Sequence, residues 1–369
     1  MSFDLNLLPD GGLSWLDASG PDSSIVLSTR IRLARNVAGH VFTSRGDRDT
    51  LEDVYRMVHE AATDAVLPQA VTYRLDQMRG VDRQVLHERH LVSRELAGLD
   101  RQGGARTAAA LLTDGAMGIM VNEEDHLRLQ GLQSGFQLER LYGRLATLDG
   151  ALGERIPFAF HSEFGYLTAC PTNAGTGLRA SVLIHLPGLV LTKEINKVLQ
   201  GLAQVGLTFR GLYGEGSEVL GNFFQLSNQT TLGKSEAELL DHLGRMVRMV
   251  LAHEHQAREV MERSAPAVVA DRVWRAYGIL RHARTLSFEE TMNFLSGVRL
   301  GVGLNLISGV SVYTLNRLLV YTQPGHLAHA AGIAVTDPEL AVHRATLVRT
   351  MLDDDATRPP GATRGAEAP

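Results

Sequence analysis

The chain has 369 residues, 44% hydrophobic and 21% charged with a net charge of −5, enough for one large or two ordinary domains and not suggestive of a nucleic-acid binder. Its single cysteine, Cys170, excludes an internal disulfide framework and a multi-cysteine zinc site. No apolar run reaches the roughly 18–20 residues of a membrane span and no basic-then-apolar leader is visible, so a soluble cytoplasmic protein without membrane contact is expected.

Residues 1–23 are rich in Gly, Asp and Ser around Leu13, Trp15 and Leu16, and read as a docked N-terminal arm. From Ile25 the pattern alternates: Ile25, Leu27, Thr29, Ile31 and Leu33 point one way, Val26, Ser28, Arg30 and Arg32 the other. That period of two predicts a strand with both arginines on one face. Residues 51–66 read as a helix, and Gly118–Val121, Ser181–Leu186 and Leu207–Leu212 as strands leaving into polar or Gly-rich sequence. Gly211–Asn222 carries four glycines with Glu215 and Glu218 and reads as a mobile loop. Ser235 then caps a helix with Leu239, Leu243, Met246, Val247 and Val250 on one stripe. Helical periods dominate from about Ala270 to Thr350, and the end is Pro/Gly-rich. The expected organisation is an arm (1–23), a catalytic domain (24–255), a helical C-terminal domain (256–352) and a disordered tail (353–369).

Several familiar signatures fail. Gly233-Lys234-Ser235 ends like a P-loop, but Asn228 occupies the position of its first glycine. His253-Glu254-His255 lacks the histidine spacing of a zinc-protease helix, and Gly214-x-Gly216 lacks the third glycine of a dinucleotide fingerprint. Only Lys193, Lys197 and Lys234 are lysines, so an anion site here must rest mainly on guanidinium groups.

A distributed set stands out instead: Ser28-Thr29-Arg30-Ile31-Arg32; Asn122-Glu123-Glu124-Asp125-His126-Leu127-Arg128; Cys170-Pro171-Thr172-Asn173 running through Gly175-Thr176-Gly177 to Arg179-Ala180-Ser181; and Arg210-Gly211-Leu212-Tyr213-Gly214-Glu215-Gly216. Singly each is ordinary: arginines on an exposed strand face, an i,i+4 pair in Glu124 and Arg128, a small buried thiol. Together, in this order, they resemble the ATP:guanidino phosphotransferases, the family of creatine and arginine kinases, over residues 25–235. Within that family, Arg210–Glu218 and Ser227–Glu236 look like the bacterial protein-arginine kinases.

The resemblance implies an α+β fold: an antiparallel sheet flanked by helices, as in guanidino kinases and glutamine synthetase-like domains, plus the C-terminal helical domain. It implies ATP and Mg²⁺, the metal held by the ATP phosphates and not by protein ligands. Arg30, Arg32, Arg128, Arg179 and Arg210 become the phosphate cage, fitting because the guanidinium fork clamps phosphate oxygens and keeps its charge. His90 matches the histidine beside the base. Ser28, Thr29, Ile31, Ala180, Ser181, Val182, Leu183, Gly211, Leu212, Tyr213 and Gly214 complete the nucleotide segments. Glu124 and Glu215 are implied as the carboxylates that align and deprotonate the acceptor guanidinium, with Glu123 as the structural alternative to Glu124. Cys170 matches the family thiolate.

The Ser28 motif begins too early for the roughly 100 helical residues that precede it in the small-molecule kinases, and a comparable helical block follows instead. An open acceptor site of that kind suits an arginine side chain still in a polypeptide. The resemblance further implies a homodimer, a zinc-binding activator protein, a heat-shock repressor and an unfoldase–protease machine as partners, and a role in stress response. The family's phosphoarginine-sensing Arg-Asp-x-x-Arg-Ala is reduced here to Arg344-Ala345, predicting weak or absent activation by phosphoarginine. A kinase of a free guanidino compound and a phosphoarginine-binding adaptor with a vestigial catalytic half are the competing readings.

Overall fold

The computed structural model describes residues 3–65, 67–100, 103–212, 219–332 and 336–357. Its strands are β1 (Val26–Arg35), β2 (Val71–Arg74), β3 (Ala110–Thr113), β4 (Met117–Val121), β5 (Leu127–Ser134), β6 (Phe160–His161), β7 (Gly165–Tyr166), β8 (Leu178–His185), β9 (Leu207–Arg210) and β10 (Phe223–Asn228). Its helices are α1 (Arg48–Ala65), α2 (Gly80–Glu88), α3 (Leu138–Gly153), α4 (Pro187–Leu191), α5 (Ile195–Gln204), α6 (Glu236–Ser264), α7 (Pro266–His282), α8 (Phe288–Gly303), α9 (Val312–Tyr321), α10 (Pro324–Ala331) and α11 (Asp337–Thr357).

Eight strands form one sheet in the order β2-β3-β4-β5-β1-β8-β10-β9, every neighbouring pair antiparallel. Side chains alternate across such a sheet, so one face can be apolar and the other polar. Ile31, Leu33, Ile119, Leu129, Ala180, Val182 and Leu226 supply the apolar face. They pack on Val54 and Val58 of α1, Leu141 and Leu145 of α3, and Leu243, Val247 and Val250 of α6. The expected strand alternation breaks once. A β-bulge between Val26 and Ser28 shifts the pairing of β1 with β8, so Leu27 does not share the core of Ile31 but joins that of the C-terminal helices.

Ser235 does cap α6, accepting from the Glu238 amide while the Glu238 carboxylate accepts from the Ser235 amide. Two expected boundaries are corrected. The helix continues through residue 255 to Ser264 and stops before Pro266, whose ring disfavours a helical Ala265. The tail expected from 353 begins later: α11 runs to Thr357, with Asp353 paired to Arg281 and Asp355 accepting from the Ser311 amide. The helical domain builds its own core from Val273, Leu280, Leu295, Leu318 and Val348, into which the sheet inserts Leu27, Leu183 and Phe223. The N-terminal arm is docked, its Leu13, Trp15 and Leu16 buried against Leu132, Val320 and Tyr321.

Candidate active site

The polar face of the sheet collects the arginines. Directly opposed residues of antiparallel strands point to the same side, and the register opposes Arg32 to Arg179 and Gln130, and Arg30 to Ser181 and Leu132. Arg128 lies two residues from Gln130 on the same face of β5, and Arg210 faces Gln225 across β9 and β10. Sequence segments far apart thus converge on one surface.

Alternation divides the side chains of the expected nucleotide segments between the two faces. Thr29, Ile31, Ala180 and Val182 turn away from this surface; the last three are fully buried in the helix-covered core. The Thr29 hydroxyl is spent on structure, donating to the Gly135 carbonyl at 2.7 Å and accepting from the Gln137 amide at 3.0 Å. Ser28, Arg30, His90, Ser181, Leu183, Leu212 and Gln225 line a common small cavity. Gly211 follows β9 directly. Tyr213, Gly214 and Glu215 lie outside the described residues.

The electrostatics of the cluster ask for an anion. Burial and the charges of Arg179 and Arg128 push Arg30 down to about 10, and burial with Arg30, Arg128 and Arg179 holds Arg32 well below the ordinary arginine range. Among the described residues, Arg30 donates to the Gln225 side chain at 2.9 Å. The buried Nε of Arg32 donates to no acceptor among the described residues. Buried donors without acceptors are costly, and neighbouring like charges add to the cost. A polyphosphate is a group that would supply both acceptors and opposite charge to such a cluster.

Arg128 leads from this cluster to the carboxylates. It binds Glu123 through Nη1 and Glu124 through Nη2, the latter at 3.2 Å. Burial opposes its charge, but Glu123, Glu124 and Asp125 outweigh burial and raise its pKa. The two glutamates differ in access. The Glu123 side chain is 1% exposed, and its second oxygen accepts from the Glu124 amide. The Glu124 side chain is 34% exposed, touches the Asn173 amide group at 3.4 Å, and is raised above the usual carboxylate range by burial against the pull of Arg128. Glu123 is therefore a fixed anchor for Arg128, and Glu124 is the more accessible carboxylate.

Residues assigned no role from the sequence hold this arrangement. Asn122, at φ 56°, donates to the Leu51 and Ala108 carbonyls and fixes the turn carrying both glutamates. Asn36 donates to Asp125 and accepts from the His126 amide, and Asp125 accepts from the Ala169 amide beside Cys170. Arg35, bidentate on Asp149 and stacked 3.5 Å over Tyr166, ties the end of β1 to the strand segment preceding Cys170. Cys170 is half-buried, its sulfur 3.0 Å from the Thr172 hydroxyl. Gln225 is detectable in sequence only as a polar residue in an apolar strand, whereas Asn36 follows a strand end with no distinguishing pattern.

His90 adopts φ 59° and is buried edge-on against Trp15, with ring centroids 5.1 Å apart. Burial, Arg30, His87 and Arg32 hold it far below the ordinary histidine range, so its ring is neutral. Arg344 and Ala345 lie elsewhere, in the helical domain. The Arg344 guanidinium donates to the Thr322 carbonyl at 2.7 Å and the Leu286 carbonyl at 3.0 Å, and Ala345 is fully buried.

Sheet, arginine cluster and paired glutamates together define an ATP-dependent guanidino kinase, and comparison with known proteins agrees: the chain belongs to the ATP:guanido phosphotransferase family, whose C-terminal catalytic domain matches residues 52–257. Residues 266–361 match the protein-arginine kinase McsB C-terminal domain. Among its relatives are the protein-arginine kinases of Brevibacillus brevis, 44% identical over 92% of this chain and 95% of theirs, and Moorella thermoacetica, 45% identical over 92% and 97%. The chain takes its place among the protein-arginine kinases of that family. Similar solved structures include the duplicated taurocyamine kinase of Schistosoma mansoni with bound transition-state-analogue components, at TM-score 0.58 and 28% identity. That match covers 69% of this chain and 36% of the duplicated one, so the chain spans about a third of that protein's length. Lombricine kinase matches at TM-score 0.57 and 26% identity over 70% of this chain and 71% of its own.

Proposed function

We propose that the protein transfers the γ-phosphoryl group of ATP to arginine side chains of proteins, giving N-phosphoarginine. The observation that carries this is the placement of an accessible, pKa-raised Glu124 on Arg128, at the edge of an arginine cluster with unmet anion demand. An arginine guanidinium, with a pKa above about 12, is a poor nucleophile until a proton is withdrawn. Glu124 accepts that proton as the guanidino nitrogen bonds to the γ-phosphorus. The bond from that phosphorus to the bridging oxygen breaks, and ADP leaves with its new charge matched by Arg30, Arg32, Arg128, Arg179 and Arg210. The protein's contribution is positioning and charge neutralisation. Glu215, in a segment joined directly to the site by Gly211 and Leu212, is assigned as the second carboxylate. Cys170, held beside the Glu124 turn through Asp125, is assigned to the bound guanidinium.

Mg²⁺, if bound with the nucleotide, would supply further neutralisation of the transferred group. No three His, Cys, Asp or Glu side chains gather to hold a metal among the described residues, and Glu123 is already engaged by Arg128. By resemblance, the nucleotide phosphates would hold the ion. The names of the relatives support a polypeptide acceptor. A cytoplasmic homodimer acting in stress response with a zinc-binding activator, a heat-shock repressor and an unfoldase–protease machine rests on family resemblance. With Arg344 committed to two backbone carbonyls, activation by phosphoarginine is expected to be weak.

The test incubates the pure protein with Mg·ATP and either an unfolded test protein or free L-arginine, read by mass spectrometry without acid because the N–P bond is acid-labile. Phosphate on protein arginines, falling about 10²–10⁴-fold in Glu124→Gln, is expected. Phosphate on free arginine alone would move the substrate to a small guanidine. Neither product, with binding of phosphoarginine peptides, would make the protein an adaptor.

A further inference from the structure

The segment that presents His90 is held from outside its own domain. Resting on the nucleotide reading of the cavity lined by Ser28, Arg30, His90 and Gln225, we infer that Glu88 and His326 are positioning residues through which the helical domain sets the affinity for ATP.

His90 occupies a left-handed backbone conformation that is costly for a non-glycine residue, so it persists only where neighbours over-determine it. Its own carbonyl accepts from Gln130 at 2.8 Å. The two residues before it are gripped by α10. Glu88 is buried, and its carboxylate accepts from the Gly325 amide at 2.8 Å, the His326 amide at 2.9 Å and the His326 ring at 2.7 Å. A carboxylate at a helix N-terminus meets otherwise unsatisfied N–H groups and the positive end of the helix dipole. Gln84 adds a fourth donor at 3.0 Å.

Arg89 completes the link. Its Nε donates to His326 Nε2 at 3.0 Å, and its Nη1 donates to the Gly11 carbonyl. Because an arginine nitrogen can only donate, His326 Nε2 must be an acceptor, so the ring proton sits on Nδ1 and points at Glu88. His326 is thus neutral, in one tautomer, and joins residues 88 and 89 through opposite ring nitrogens. Behind it, Arg344 of α11 donates to the Thr322 carbonyl, two residues before α10. A continuous chain of bonds therefore runs from α11 through α10 to the residues immediately preceding His90.

A general interface would behave differently from a positioning device, and the same helix pair offers the control. His329, also on α10, bonds Asp82 of α2 at 3.1 Å without touching residues 88–90. Calorimetric titration with Mg·ATP, which needs no acceptor, is run on the full chain and on His326→Ala, Glu88→Gln and His329→Ala, alongside thermal unfolding and KM and kcat on an unfolded arginine-bearing protein. The expected result is an ATP Kd weakened about fivefold or more in His326→Ala and Glu88→Gln, with KM for ATP rising in step and kcat at saturating ATP near wild type. His329→Ala should lower Tm and leave the ATP Kd unchanged. If His326→Ala fails to fold, Glu88→Gln carries the comparison. Wild-type ATP affinity in the folded variants, or equal weakening in His329→Ala, would reduce the contact to general stabilisation and overturn the inference. If the wild-type chain binds ATP but phosphorylates no arginine, the acceptor reading fails while this inference stands; if it binds no ATP, both fall.

Discussion

Arg32 illustrates how binding capacity is stored at a cost to the folded state. It sits on β1 among three other arginines, half-buried, with its buried Nε lacking an acceptor among the described residues. Replacing it by methionine keeps the apolar stem and removes the desolvated, repelled charge, and such replacements are often stabilising. Arg32→Met is therefore expected to raise Tm by about 1–3 °C in the absence of nucleotide, while ATP affinity falls about 10–100-fold for want of one charge-assisted phosphate contact. Thermal unfolding with and without Mg·ATP measures both; a lower Tm without nucleotide would show the cluster to be self-sufficient. Histidines give the residue scale a pH dependence of definite sign. His126 accepts from the Val37 amide at Nδ1 and faces the Val41 carbonyl at Nε2, and burial pushes it down to about 4. His90, His185 and His326 are likewise held below the ordinary value of 6.5, burial being the chief cause. The unfolded chain takes up protons at these positions before the folded one does. Their stabilisation is fully present above about pH 6.5 and is lost as pH falls from there through the folded values. Urea midpoints should drop steadily between about pH 6.5 and 4, and a flat profile across that window would contradict the neutral buried rings.

Elements differ in how openly the sequence announces them. The capping box at Ser235 and Glu238 is a local signal with a local consequence, since the first amides of α6 have no partner inside the helix. Ser235→Ala is expected to cost about 1 kcal/mol, read as a lowered urea midpoint with unchanged m. The alternation of β1 is equally local, which is why it places Arg30 and Arg32 on one face without reference to any partner strand. What alternation also dictates, that Ile31, Ala180 and Val182 must face the core when Arg30, Arg32, Arg179 and Ser181 do not, is lost when a motif is carried across as an unbroken run. Leu27 is not legible from β1 alone, because a bulge is a property of the pairing with β8. The end of α6 is legible in Pro266, beyond the domain boundary expected at residue 255. Glu123 and Glu124 are the harder case: adjacent and chemically identical in sequence, they acquire different roles only through the burial of one and the exposure of the other.

At the scale of the whole molecule, the catalytic sheet and the helical domain behave as one body. Helix α6 begins on the sheet, with Leu243 and Val247 in its core, and ends with Met261 in the core of the helical domain. Leu27, Leu183 and Phe223 cross the other way. Polar bonds reinforce the seam: His185 and Asn222 both reach Ser296 of α8 at 2.8 Å. The arm fastens both sides: Asn316 and Arg299 of the helical domain donate to the Leu16 and Ser23 carbonyls, and the Phe136 amide after β5 donates to the Pro21 carbonyl. Splitting the chain would expose apolar side chains and orphan buried polar groups together, each of which is costly. Thermal unfolding is therefore expected to give a single calorimetric transition that coincides with loss of helix signal, and Mg·ATP should move the entire transition upward. A chain ending at Ser264 is expected to aggregate and to bind no ATP, having lost both the cover of Leu27 and Phe223 and the grip of α10 on Glu88. Two separable transitions, with nucleotide shifting only one, would instead mean that the seam is a contact between independent domains, and so would a soluble shortened chain with wild-type ATP affinity.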